Sequence, residues 1–149
     1  MDTKEQLVFL TGSSKILLQL APETLPMWGK MTAQHMVEHL SSAIVMSLKK
    51  TTYNPQLNQE AVLKSKTYML SHGLKPGNIL DDGKLKDLKT PDLDTAINEY
   101  SNQLNNFLHA IETSTLATYH IYFGQLNNDE WLTFHYWHTQ HHFNQFGLI

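Results

Sequence analysis

The run PDLDTAINEYSNQLNNFLHAI, residues 91–111, decides the fold. Its Leu93, Ile97, Tyr100, Leu104, Phe107 and Ile111 recur in alternating steps of four and three. At ~3.6 residues per turn that spacing gathers all six on one side of a helix and leaves the Asn, Gln and Glu side chains on the other. A strand would alternate every second residue instead. A single apolar seam has to be covered, so the expectation is a bundle in which other helices cover it. Pro91 or Asp92 opens this helix, since Pro suits a first turn and Asp accepts from the unpaired amides there.

The flanking sequence supplies those other helices. Downstream, Asn127 and Glu130 have capping-box spacing, and the helix they open runs to a stop at Gly147. Upstream, Thr32 is an N-cap for a helix to about Lys50, with Met36, Leu40, Ala43, Ile44 and Ser47 at helical spacing. Lys4 to Leu20 carries enough Leu, Ile and Val for another, which starts at Lys4 or, with Gly12 and the two serines after it as a delay, at Ser13. Pro22 and Pro26 break the chain before Trp28. A short extra helix is expected from Asn58 to Ser71, and KPGNILDDGKLKDLKTP (75–91) reads as a long loop of the kind that serves as a lid or stays mobile. TYHIYF (118–123) is extended in character but has no second candidate strand, so no sheet is expected. The reading is all-α: four main helices in one domain spanning 1–149, with a long loop and a short helix between the second and third.

Composition removes several function classes. The chain has 149 residues and a net charge of −3, and all 11 of its basic residues are Lys. Nucleic-acid binding leans on clustered basic charge and on bidentate Arg, so no nucleic-acid partner is expected. With 0 Cys, disulfides, thiolate metal sites and Cys nucleophiles are excluded. The opening MDTKEQLVFLTGSS has no basic n-region and long apolar core, and no stretch approaches the ~18 apolar residues of a membrane span. The expectation is a cytoplasmic protein with no membrane partner.

Histidine carries the chemistry. There are 9, and His135, His138, His141 and His142 fall in the last helix, interleaved with Phe134, Tyr136, Trp137 and Phe143 as no purification tag would be. His138 and His142, four apart, lie only ~40° from one another around the axis and one turn apart, so the two imidazoles can share one ion. Trp131, Phe134, His135 and Gln145 fall within ~60° of His138, so the His face is also the apolar face and must look inward. The second helix offers His35 and His39, again four apart, with His39 at the edge of the apolar stripe. One of them facing the pair makes three neutral imidazoles with an open fourth position, a catalytic arrangement that suits Zn²⁺ or Ni²⁺. An ion so held lowers the pKa of bound water toward ~7 or binds a substrate thiolate. HExxH is absent, because no His follows Glu38 and His39 at the required spacing, which argues against a zincin protease. His141 or His135 can serve beside the ion as proton carrier, and the competing role for both is hydrogen bonding in the core.

MWGKMTAQHMVEHL (27–40), HIYFGQLNNDEW (120–131) and WHTQHHFNQFG (137–147) resemble the DinB-like (YfiT-like) metalloenzyme superfamily, in a branch catalogued as a domain of unknown function. The resemblance implies an up-down-down-up four-helix bundle, often a homodimer. It also implies a divalent metal held by one His of the second helix and an HxxxH pair of the fourth, here His39, His138 and His142, with His35 as the alternative to His39. Some members are transferases or isomerases that use a low-molecular-weight thiol. The expected function is therefore a metal-dependent transferase or hydrolase acting on a small-molecule substrate. With no Arg, an acidic thiol would be recognised by Lys30, Lys75, Lys84 or backbone amides. The alternative is a non-catalytic binding or dimerisation module whose His cluster only packs.

Overall fold

The structure, a computed structural model, describes residues 2–49, 58–74, 84–116 and 118–149. Five helices and one hairpin make up the described chain: α1 Thr3–Leu17, α2 Ala33–Leu48, α3 Gln59–His72, α4 Leu93–Thr113, β1 Thr118–His120, β2 Gly124–Leu126 and α5 Asn128–Gln145. α4 begins where its seam begins. Asp92 caps it by accepting from the Thr95 amide, and Leu93, Ala96, Ile97, Tyr100, Leu104 and Phe107 form its buried face. α2 packs chiefly on α4 and α1 chiefly on α5, with α2–α5 and α1–α4 contacts closing the set. The chain is thus mainly helical, with a core that gathers Trp131, Tyr100, Phe107, Phe143, Leu10 and Met36, all essentially inaccessible to solvent.

Two expectations need correction. α1 starts at Thr3 under an Asp2 cap, within a residue of the Lys4 start and with no delay to Ser13, and it ends at Leu17, short of Leu20. Gly12 costs a helix interior only ~1 kcal/mol. Ser13 is fully buried, donating to the Leu10 carbonyl (2.6 Å) and bonding the Tyr100 hydroxyl (2.8 Å), so tertiary contacts hold the helix through the Gly-Ser-Ser run. The second correction is a sheet, small but real: TYH of the extended stretch pairs antiparallel with GQL, Thr118 opposite Leu126 and His120 opposite Gly124. Gly124 turns the chain with a φ of +70°, which costs glycine nothing. Thr118 Oγ1 donates to the Ser47 carbonyl (3.0 Å), fastening the hairpin to the end of α2.

The far end of the expected loop is pinned. Glu38 accepts from the Lys89 amide (3.0 Å), the Thr90 amide (2.8 Å) and Thr90 Oγ1 (2.6 Å), and Gln34 donates to the Thr90 carbonyl (2.8 Å). Burial pushes the Glu38 carboxyl up, but those bonds outweigh it and hold the group below its ordinary value. Residues 75–83 of that loop lie outside the described residues. Among the described residues, no helix is long and apolar enough to cross a membrane.

Candidate metal centre

α5 is organised from its first turn. The Asn127–Glu130 capping box forms in both directions, and it sets the helix phase. That phase turns Trp131, Phe134, His135, His138, His142 and Gln145 inward, all buried. Thr32 caps α2 by accepting from the His35 amide, and α2 brings His39 against α5.

His39, His138 and His142 meet there. The ring centroids are 4.7 Å (39–138), 4.8 Å (39–142) and 4.8 Å (138–142) apart. Nε2 of His39 and Nε2 of His138 are 2.9 Å from one another, and one donor nitrogen from each of the three rings can be chosen so that all lie within 4.8 Å. Tetrahedral coordination at ~2.0–2.1 Å places nitrogens roughly 3.4 Å apart, so small ring rotations suffice to bring these three onto one ion. His138 and His142 are buried, and His39 is partly so. Desolvation first, and the neighbouring imidazoles second, hold His138 well below its ordinary value, and desolvation with the adjacent His39 brings His142 to about 3. At neutral pH these two rings are uncharged, which is the state that binds a metal. Phe134 stacks on His138 (5.2 Å, 19°) and supplies an apolar wall.

The other histidines are placed elsewhere. His35, the alternative ligand, has both ring nitrogens engaged, Nδ1 with Thr32 Oγ1 (2.6 Å) and Nε2 with the Lys86 carbonyl (2.9 Å). It ties α2 to the segment that Glu38 clamps and is not brought to the cluster. His135 is fully enclosed against Trp131 and Phe107, with Nε2 bonded to Ser47 Oγ (3.0 Å). Burial holds it at about 3, so it is uncharged and no acid at neutral pH, and its position is the core role weighed for it above. His141 lies at the edge, half-buried, its ring 4.9 Å from His142 and 6.0 Å from Trp28. Lys30 and Lys84 are exposed, and Lys75 lies outside the described residues.

Two participants escaped sequence reasoning. Gln145 was placed on the inward face by its phase, but its contact with His142 Nδ1 (2.7 Å) was not foreseen, although three-residue spacing on a helix makes such pairs neighbours. His120, enclosed among Phe123, Phe134 and Trp131, is also held at about 3 by burial, and a lone His beside a turn gives no local sign of that.

Fold and site together define a mainly helical protein with a buried three-imidazole cluster of metal-ligand geometry. The chain belongs to the family described as "Protein of unknown function (DUF1569)", which matches residues 33–147 and so takes in α2 to α5 and all three clustered histidines. No curated protein and no solved structure matches it.

Proposed function

We propose that His39, His138 and His142 hold one divalent cation, Zn²⁺ or Ni²⁺, as the centre of a metal-dependent enzyme acting on a small molecule, a transferase using a low-molecular-weight thiol or a hydrolase. The observation that carries this reading is the convergence of three imidazoles from two helices within 4.8 Å. Two of them are buried and kept neutral, the protonation state that binds a metal. When bound, such a cation supplies a Lewis-acid centre with a coordination position left over for a substrate thiolate, carbonyl or water. The chain's own residues supply the rest: Phe134 excludes water from one side, Gln145 orients His142, and His141 stands at the edge where it can exchange protons. The resemblance of residues 27–40 and 120–147 to the DinB-like superfamily supports the same reading, and with it a DinB-type bundle spanning 1–149 and a homodimer.

The test separates the two histidines of α2. His39→Ala is expected to lose stoichiometric zinc, and His35→Ala to keep it, in equilibrium dialysis of untagged protein. Zinc retained by the first variant and lost from the second reverses the assignment.

A further inference from the structure

We infer that Gln145 is the positioning residue of the three-histidine centre and that it couples the centre to the Met27–Gly29 strap; this rests on the metal reading above. The argument starts from the Trp28 carbonyl, which has no proton to give. The Gln145 atom facing it at 2.9 Å is therefore the amide nitrogen, Nε2. That choice turns Oε1 toward His142 Nδ1 at 2.7 Å. Oε1 accepts only, so Nδ1 carries the proton. A neutral imidazole has one N–H, so His142 Nε2 is left with the lone pair that a cation needs. A backbone carbonyl on the strap thus sets the tautomer of a ligand on α5, the part an outer carboxylate or carbonyl plays at many metal-bound histidines.

The strap is held through the same residue twice. Besides the side-chain bond, the Met27 amide donates to the Gln145 carbonyl (2.8 Å). Met27 and Trp28 are otherwise substantially exposed, at 68% and 44%, so little apolar burial supports the docking. Gly29 completes the arrangement. Its φ is +83°, and a Cβ there would stand 2.8 Å from Gln145 Nε2. The atom in the way is the end of a flexible side chain, so an alanine displaces the Gln145 amide without dislodging a helix. Binding free energies are reciprocal: if the docked strap favours the metal, the metal favours the docked strap.

The experiment titrates Zn²⁺ against a chromophoric chelator in the full chain and four variants. Gln145→Leu and Gly29→Ala are expected to weaken zinc binding by ~10–100-fold. Gln145→Glu, whose carboxylate still accepts from Nδ1–H but has no proton for the Trp28 carbonyl, keeps the tautomer and loses the strap bond, so its affinity falls between those of the parent and Gln145→Leu. Gly147→Ala is the control, since Gly147 also has a positive φ (+66°) but nothing within 4 Å of its Cβ position. It keeps the parent affinity. In the metal-free protein, ¹⁵N spectra of His142 show the Nδ1–H form in the parent and a tautomer mixture in Gln145→Leu. Unchanged zinc affinity in Gln145→Leu and Gly29→Ala overturns the coupling while leaving the metal reading intact. Equal weakening by Gly147→Ala overturns it as well, because backbone strain would then account for the loss. A parent chain that binds no zinc overturns the metal reading and the coupling together.

Discussion

Lowering the pH of the metal-free protein from 7 to 5 should destabilise it by several kcal/mol, through two histidines that bind no metal in this account. His120 and His135 are buried at 4% and 2% exposure, and desolvation brings both from 6.5 in the open chain to about 3 in the fold. Between those values the unfolded chain binds protons that the folded chain does not, so stability rises with pH across that window. The contribution is fully present above 6.5 and is lost progressively as pH falls toward 3. At ~1.36 kcal/mol per unit, the step to pH 5 removes about 2 kcal/mol for each ring and about 4 kcal/mol for the two. Against a total of ~5–15 kcal/mol, that is a large fraction. His138 and His142, depressed in the same direction, add to the loss when no metal protects them. Glu38, held below its ordinary value of 4.5, stays ionised over this range and contributes nothing to it. Urea unfolding at pH 7, 6 and 5 in the presence of chelator reads the slope directly. His135→Gln removes one of the titrating rings and should cut the pH 7-to-5 difference by about 2 kcal/mol. A midpoint that does not move between pH 7 and 5, or a slope untouched by His135→Gln, would mean that burial does not hold these rings neutral.

Three further outcomes follow from the contacts. Ser47 Oγ donates to the Ile44 carbonyl (2.6 Å) and so accepts from His135 Nε2–H; Ser47→Ala leaves that N–H buried without a partner, lowering stability in urea by ~1–3 kcal/mol with zinc affinity unchanged. Glu38→Gln replaces a carboxylate that takes both the Lys89 and Thr90 amides, so hydrogen exchange at those two amides should quicken while helical circular dichroism holds. Zinc at a thousandfold excess over its dissociation constant should raise stability by ~4 kcal/mol, measured as a shift in thermal midpoint that chelator reverses; no shift would place the His face among ordinary packed residues.

The helices were legible where local chemistry specified them. The 93–107 seam, the Thr32 cap and the Asn127–Glu130 box each rest on neighbours in sequence, and α4, α2 and α5 begin where those signals predict. The same locality explains the misses. A three-residue strand has too few residues to show a period, and its partner GQL became visible only once Gly124 had turned the chain. Gly12 argued for a late start to α1 because propensity sees the glycine and not the Tyr100 hydroxyl waiting for Ser13. At the candidate centre, the four-residue step placed His138 and His142 together on the buried face. Spacing alone left His35 and His39 equivalent. What separates them is distant in sequence: the Lys86 carbonyl that occupies His35 and the α5 face that meets His39. Gln145, too, acquires its role only through Trp28, which no helical pattern links to it.

X-ray absorption at the zinc edge reads whether the three imidazoles of α2 and α5 share one ion. Untagged protein loaded with one equivalent of Zn²⁺ should take up a single ion per chain, with three imidazole nitrogens at ~2.0–2.1 Å and one exchangeable oxygen ligand. His138→Ala should lose both the ion and the spectrum. Failure to take up an equivalent, or uptake with the same spectrum in His138→Ala, would rule out the shared centre.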